Sequence, residues 1–300
     1  LAEGAEMDRL SARAYGWGYA GGGLLLVVNL LWVMKPGWFG LPGAGAAVRL
    51  SFASVAVWWA VFTLPLLRRV PEPAARGGAR GMRAAVAELA ATLREIRSHR
   101  QLALLLGAYW IYNDGIGTIV KMATAYGSEL GIGLTHLVGA LVLTQAVGIP
   151  CAFGFGKLAG RIGAKGAVLV ALVVYVGIAA GGWMMSRAWH FYLLAGLTGT
   201  VQGGAQALSR SLFASMVPRH RTAEFFGFYS TSGKLAGVVG PLVFGLVSQV
   251  SGTGRLGILA LVVFFVAGGA LLLRVDVEAG RAAARRAETA AGGARWTADD

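Results

Sequence analysis

The sequence predicts an all-α integral membrane protein whose chain crosses the bilayer as eight transmembrane helices. Three observations support this: the 300-residue chain is 56% hydrophobic, only 14% of its residues are charged, and its mean hydropathy is +0.63. Soluble domains are nearer a quarter charged and far less apolar. Lipid is therefore the expected medium of the fold, and the 46 glycines indicate closely packed helices within it.

Eight apolar stretches are long enough to cross the hydrocarbon core, which takes about 20 residues of helix. Membrane-spanning strands need only about ten residues and alternate strictly, whereas helices satisfy their own backbone groups in lipid. The predicted spans are residues 15–34, 48–67, 102–125, 134–156, 166–186, 189–213, 225–249 and 255–274.

Basic residues orient these spans. Twenty of the 27 Lys and Arg residues fall in the connections of one side, and four in those of the other side. Because Lys and Arg concentrate in cytoplasmic connections, both termini are predicted to be cytoplasmic, in a bacterial inner (plasma) membrane. The net charge of +13 is then a consequence of topology and does not predict a nucleic-acid partner.

Two segments lie outside the spans. Residues 68–101 form the long connection, and within them Val86, Leu89, Leu93 and Ile96 share one helical face. This pattern favours an amphipathic helix at the cytoplasmic surface, with a solvated linker as the alternative. Residues 275–300 are rich in Ala, Arg and Gly, which predicts a mostly disordered cytoplasmic tail.

Several short motifs, taken in their order along the chain, resemble those of a known protein family. Residues 112–115 read YNDG, 202–213 read QGGAQALSRSLF, and 224–229 read EFFGFY. They resemble the seventh, tenth and eleventh helices of the vacuolar-effluxer-like branch of the major facilitator superfamily, also called the unknown major facilitator family. The resemblance covers about residues 10–280, and residues 18–23, GYAGGG, resemble the fifth helix. Residues 156–165, GKLAGRIGAK, resemble the superfamily's cytoplasmic loop signature, with Gly160 where an Asp usually stands.

The resemblance implies a carrier of twelve helices in two six-helix halves, with the solute site between the halves. On this mapping residues 1–67 are a remnant of the N-terminal half with two helices, 68–101 are the inter-half linker, and 102–274 are the complete C-terminal half. The chain begins with Leu and is expected to be N-terminally truncated and unable to transport alone.

The implied function is secondary active transport of small organic solutes by alternating access, with amino acids as the leading guess. A non-transporting membrane scaffold or sensor that kept the fold is one alternative. A membrane-embedded enzyme that acts on lipid is another.

Ionisable residues in a bilayer cost about 2.5–3.5 kcal/mol each on insertion scales and usually face a cavity or a partner. Asp114, Thr118 and Lys121 fall on one face of the third span. We expect a polar stripe in the central cavity, with Asp114 as solute contact or proton carrier. A structural ion pair, or a helix–helix hydrogen bond made by Asn113 or Asp114, is the alternative.

A second stripe, with Gln202, Gln206 and Ser209 at helical spacing and Arg210 beside them, lies in the sixth span. The alternative role for Arg210 is anchoring at the interface. Pro241, among small residues, predicts a bend that could serve alternating access. With Gln145 and Lys234 added, the predicted substrate-binding or translocation residues are Asn113, Asp114, Thr118, Lys121, Gln145, Gln202, Gln206, Arg210 and Lys234.

Enzyme chemistry has little support in the sequence. The four histidines lie at the edges of connections, and none is in the middle of a span with a second ligand four residues further on. The single cysteine, Cys151, excludes an intrachain disulfide. We predict no enzymatic activity, no cofactor and no metal site. The predicted partners are a small-molecule solute, protons as a candidate coupling ion, and membrane lipid.

Overall fold

The computed structural model describes residues 5–69 and 81–296, which form helices and their connections, without a strand. The all-α prediction is confirmed for this part of the chain. Short 3-10 turns occur at Pro36–Phe39 and Arg219–Arg221. The α-helices are α1 (Ala5–Met34), α2 (Ala44–Arg69), α3 (Met82–Ser98), α4 (Arg100–Glu129), α5 (Leu134–Trp183), α6 (Ala188–Ala214), α7 (Thr222–Ala236), α8 (Val239–Ser251), α9 (Gly254–Ala260), α10 (Val262–Leu273) and α11 (Val277–Trp296).

Within the described residues, five helical stretches are long and apolar enough to cross a membrane: Glu6–Met34, Ala44–Arg69, Leu134–Trp183, Arg219–Ser251 and Gly254–Leu273. Helices α4 and α6 have sufficient length, with 30 and 27 residues, but polar side chains interrupt their apolar sequence. Eight crossings result if α4 and α6 are also counted and α5 is counted twice. The count of eight therefore stays a prediction.

Helix α5 contains two of the predicted spans. Its 50 residues would extend about 75 Å at 1.5 Å per residue, far beyond a hydrocarbon core of about 30 Å. The backbone breaks at Gly163, with φ 77° and ψ 158°, a conformation that residues with a Cβ rarely adopt. Gly163 lies between the predicted spans 134–156 and 166–186, so the two apolar stretches are separate helical segments.

The seventh predicted span is also broken, within the turn that precedes Pro241. Helix α7 ends at Ala236 and α8 begins at Val239, so the break falls at Gly237 and Val238. Pro241 lies in the first turn of α8, where a missing N–H leaves no helical hydrogen bond unmade. A proline cannot donate to the carbonyl four residues earlier, and its ring crowds that carbonyl. For Pro241 that residue is Gly237, so the bend predicted from Pro241 is present, at Gly237 and Val238.

The buried core is shared by α4 to α10. Its largest side chains include Tyr112, Tyr175, Phe213 and Phe265, and the rings of Tyr175 and Phe265 stack with centroids 5.1 Å apart. Helix α1 packs across α5 and α6, and α2 packs on α1. On α1 and α2, large apolar side chains such as Trp17, Phe52 and Trp59 are exposed, as expected for surfaces that contact lipid or further helices.

Glycines bring helices close together, as the composition predicted. The ring of Tyr19 on α1 occupies the space where a side chain at Gly203 of α6 would stand, and the ring of Phe155 on α5 does the same at Gly204. An added Cβ at either glycine would overlap the neighbouring ring. These two adjacent positions therefore set the distance at which α1 and α5 pack against α6.

The predicted amphipathic helix is present as α3, but its apolar face is divided. Near its C-terminal end Ile96 is 1% exposed and Leu93 packs against the core, whereas Val86 and Leu89 are exposed. Glu95 forms an ion pair with Arg221, which ties α3 to the connection between α6 and α7. The Pro/Gly/Arg-rich opening of the linker, residues 70–80, lies outside the described residues.

Contrary to the expected disordered tail, residues Val277–Trp296 form helix α11. The low hydrophobicity that suggested disorder is a property of a polar, Ala-rich helix, and Ala has the highest helix propensity. The Asp276 carboxylate accepts a hydrogen bond from the Ala279 N–H at 2.9 Å, and Glu288 accepts one from the Arg219 N–H at 2.7 Å. These contacts cap α11 and attach it to the α6–α7 connection. Residues 297–300 of the predicted tail lie outside the described residues.

We expect Asp276→Ala to loosen the start of α11, because loss of an N-cap oxygen costs about 1 kcal/mol. Amide hydrogen exchange over Val277–Arg281 should become about fivefold faster. Asp276→Asn, which keeps a capping oxygen, is the matched control and should exchange at close to the wild-type rate. Equal exchange in all three proteins would contradict this assignment of the cap.

Candidate functional site

A polar cavity of about 500 Å³ lies where α1 meets α5 and α6. Three of the predicted site residues, Gln145 of α5 and Gln202 and Gln206 of α6, line it together. The full lining is Ala14, Tyr15, Gly18, Tyr19, Gln145, Gln202 and Gln206. The prediction that the glutamines of separate spans share one cavity is consistent with this geometry.

Helical spacing explains the arrangement of the lining. Gln202 and Gln206 are one turn apart on α6, and Tyr15 and Tyr19 are one turn apart on α1, so each pair points to one side of its helix. All five of the polar side chains named in the lining are half-buried. Carboxamides and phenols both donate and accept hydrogen bonds. The described lining can therefore bind a polar solute without contributing a formal charge.

The tyrosines of α1 are functional candidates that our sequence reasoning missed. Tyr19 lies within the motif at residues 18–23, but the motif was used to identify a helix and not to locate a site. The available signal was the spacing of Tyr15 and Tyr19, two amphipathic aromatic side chains one turn apart in an apolar span.

One end of the α1–α6 contact is closed by a buried hydrogen bond. The Ser211 hydroxyl of α6 donates to Asp8 Oδ1 of α1 at 2.5 Å, and both side chains are buried. Nearby, Gly16 and Gly156 bring α1 against α5, at Phe153 and Ala12 respectively. These contacts therefore hold α1 close to α5 and α6 on the side of Asp8, which is the side predicted to be cytoplasmic.

Ser209 and Arg210 belong to an aromatic cluster outside the cavity lining. Ser209 donates to the Ala205 carbonyl at 2.6 Å, and its oxygen is 2.6 Å from the Tyr112 hydroxyl. The Arg210 guanidinium carbon lies 4.8 Å from the centroid of the Phe226 ring, a cation–π distance. Arg210 is exposed, and no carboxylate among the described residues pairs with it.

Asp114 lies apart from the cavity, at the break between α7 and α8. It is 3% exposed, and its Oδ2 accepts a hydrogen bond of 2.6 Å from the N–H of Gly240, in the first turn of α8. Thr118 donates to the Asp114 carbonyl at 2.7 Å. Among the described residues, Oδ1 of Asp114 has no hydrogen-bond partner.

Lys121, from the same face of α4, binds the other side of the break. Its Nζ donates to the carbonyl of Gly237, just beyond the end of α7, at 3.3 Å. Helix ends carry partial charges, positive at the N-terminus and negative at the C-terminus. The carboxylate at the start of α8 and the ammonium at the end of α7 each have the favourable sign. We name these two contacts the α4 clamp.

Two predicted residues belong to none of the three groups, which are the cavity lining, the aromatic cluster that contains Ser209 and Arg210, and the clamp. Asn113 is half-buried and lies outside the cavity lining, and Lys234 is exposed on the last turn of α7. The structure therefore divides the predicted set into cavity residues, clamp residues and others. Among the described residues, no group of three or more His, Cys, Asp or Glu side chains is placed to hold a metal ion.

Long apolar helices packed around a polar cavity define a multi-pass helical membrane protein. Comparison with known families is more specific. A family model described as vacuole effluxer Atg22 like matches residues 2–285, and the chain belongs to this family. The resemblance seen in the motifs is thereby confirmed.

Similar proteins come from bacteria and fungi. The protein named uncharacterized MFS-type transporter YxiO of Bacillus subtilis (strain 168) is 37% identical over 275 residues, covering 91% of this chain and 64% of that protein. Autophagy-related protein 22 of Yarrowia lipolytica is 27% identical over 317 residues, covering 94% of this chain and 52% of that protein. Autophagy-related protein 22-1 of Aspergillus niger is 26% identical over 298 residues, covering 91% and 48%. The chain spans between about half and two thirds of the length of these relatives.

We expect Gly240→Ala to disrupt the α4 clamp, because the added Cβ would overlap the Thr118 hydroxyl and press on the Asp114 carboxyl group. Overpacking of this kind costs about 1–3 kcal/mol, so the thermal unfolding midpoint in detergent should fall by several degrees. Gly245→Ala, on the same helix with nothing within 4 Å of the new Cβ, is the matched control. A similar decrease in both variants would show that the contact at Gly240 is not the cause.

Proposed function

We propose that this chain forms part of a secondary active transporter of the major facilitator type, which moves small organic solutes by alternating access. The main support is the polar cavity between α1, which maps to the N-terminal half, and α5 and α6, which map to the C-terminal half. A solute site between the two halves is the arrangement on which alternating access depends. The name of the Bacillus subtilis relative describes a transporter of this type.

Amino acids are our leading guess for the solute, and efflux is the proposed direction. The family description names a vacuole effluxer. Gln145, Gln202 and Gln206, with two tyrosines, offer several hydrogen-bond donors and acceptors at close range, which suits the polar groups of such a solute.

We further propose eight membrane crossings, with both termini in the cytoplasm of a bacterial cell. Under this topology α4 and α6 cross the membrane, and the segments of α5 before and after Gly163 cross separately. The Arg-rich connections then all lie inside, in agreement with the positive-inside tendency. Gln202 and Gln206 of α6 line the cavity, and Asp114 and Lys121 of α4 form the clamp, which accounts for these polar residues within crossing helices.

The α4 clamp is the proposed moving part. A helix interrupted at Gly237 and Val238 can change its angle there without breaking further hydrogen bonds, because the two half-helices already end. Both charged side chains of the clamp come from α4. Movement of α4 against α7 and α8 would therefore change the lengths of both hydrogen bonds, from Lys121 to Gly237 and from Gly240 to Asp114. The buried Asp114 Oδ1 without a partner is the candidate position for a coupled proton.

The proposed topology predicts which positions are labelled from outside the cell. In a variant in which Cys151 is replaced by Ala, single cysteines at positions 83 and 161 should react with a membrane-impermeant maleimide only after the membrane is opened. A cysteine at position 187 should react in intact cells. If positions 83 and 161 reacted on opposite sides, the crossing count and the carrier assignment would both fail.

Asp114→Asn is predicted to uncouple transport from the proton gradient. Asparagine keeps an oxygen for the Gly240 N–H but cannot exchange a proton. In membrane vesicles that contain the whole carrier of which this chain is proposed to form part, accumulation of radiolabelled amino acids driven by an imposed pH gradient should fall at least tenfold. Exchange of internal for external amino acid should persist.

Glu129→Gln is the matched control for this experiment. Glu129 is also on α4, and it also accepts a hydrogen bond, of 2.8 Å, from the N–H of a glycine that starts a helix, Gly254. Its variant should keep gradient-driven accumulation. Wild-type accumulation by Asp114→Asn would remove Asp114 from the coupling step, and absence of amino-acid flux in the wild-type protein would reject the proposed solute.

A further inference from the structure

Helix α3 exposes part of an apolar stripe that the rest of the described chain does not cover. Ile96 and Leu93, at its C-terminal end, pack against the bundle, but Val86 is 56% exposed and Leu89 is 36% exposed. All four residues belong to one face of the helix. The first turns of α3 therefore carry uncovered apolar side chains on a helix that is otherwise polar.

Three exposed arginines border this stripe. Successive residues of an α-helix are rotated by about 100°, which places Arg83, Arg94 and Arg97 together along one edge of the stripe, beside Val86. All three side chains are exposed. None of them forms an ion pair with a carboxylate of the described residues. We name Arg83, Arg94 and Arg97 the arginine flank.

The opposite side of α3 has the opposite charge and is attached to the protein. Glu88 and Glu95 lie away from the arginine flank on the same projection. Glu95 pairs with Arg221, Thr92 is buried, and Ile96 is in the core. These contacts fix the rotation of α3 about its axis, so the flank and the exposed part of the stripe must face outward.

We propose that the arginine flank, together with Val86 and Leu89, binds anionic phospholipid of the cytoplasmic leaflet. The guanidinium groups bind the phosphates and the anionic headgroups, while the two apolar side chains insert among the upper acyl-chain carbons. A purely solvated basic face would not need large apolar side chains beside it, whereas an interfacial helix has both. The location at the cytoplasmic leaflet rests on the proposed topology, but the lipid preference can be measured without it.

The test is a titration of dioleoylphosphatidylglycerol into the purified full chain in a neutral detergent, with bound lipids counted by native mass spectrometry. Each arginine near an anionic surface contributes about fivefold in affinity. The variant R83Q/R94Q/R97Q should therefore bind this lipid at least tenfold more weakly than the wild-type protein. The triple lysine variant, which keeps the charges, should bind within about threefold of wild type.

The matched control is R274Q/R285Q/R286Q, which removes the same charge from exposed arginines elsewhere on the predicted cytoplasmic side. Phosphatidylglycerol binding equal to wild type in the control, and lost in the flank variant, supports the proposal. Equal loss in both triple variants would show a general effect of net charge and overturn it. Equal binding of phosphatidylcholine by the wild-type protein, or competition by millimolar inorganic phosphate, would overturn it as well.

This measurement depends neither on solute transport nor on the orientation of the chain in the membrane. Failure of lipid binding would therefore not count against the proposed transport function. Val86→Asn with Leu89→Asn forms a separate arm that keeps all three arginines. It should weaken lipid binding severalfold if the apolar side chains insert. Unchanged binding in this arm would contradict the inserted geometry.

Discussion

Polar groups placed among apolar helices must find their partners inside the protein, and this constraint explains much of the structure. Several helix ends lie beside other helices, and the backbone groups of each end lack partners within their own helix. Side chains from other helices supply them. Asp114 and Glu129 accept from the first N–H groups of α8 and α9. Lys121 donates to the carbonyl of Gly237 beyond α7, and Lys165 donates to the carbonyls of Leu273 and Val275 at the end of α10.

In all four contacts the charge has the sign that the helix end favours: carboxylates meet amide ends and ammonium groups meet carbonyl ends. Asp114 and Lys121 lie within a predicted span, so these two charges, which would be costly in lipid, stabilise an interruption that would also be costly there. The use of these charges at helix ends also affects the chemical character of the cavity. Asp114 and Lys121 are engaged at the α7–α8 break, and the described cavity lining consists of neutral groups, which are three glutamines, two tyrosines and small residues.

The sequence was informative wherever a property repeats along the chain. Apolar length predicted the helices, and the periodicity of residues 86–96 predicted α3. It was less informative where a single contact between distant residues determines the local structure. Pro241 predicted the bend in the seventh span, and the break lies at Gly237, whose carbonyl the proline cannot bind. The sequence did not show that Asp114 and Lys121, more than 100 residues away, bind the two helix ends at this break. Helix α11 was missed because a polar, Ala-rich composition resembles disorder until its contacts with Arg219 and Ser215 are known.

The site was predicted in part. The three glutamines were predicted because strongly polar side chains are unusual in an apolar span. Tyrosine is common in such spans, so only the spacing of Tyr15 and Tyr19 could have indicated a site.

The contact between Tyr19 and Gly203 has an evolutionary consequence. Tyr19 lines the cavity, and its ring fills the volume that any side chain at position 203 would need. A change of specificity that enlarged residue 203 would therefore have to shrink residue 19 at the same time, and a larger ring at position 19 can be kept only while position 203 stays bare. The shape of the cavity and the spacing of α1 and α6 therefore depend on the same pair of residues.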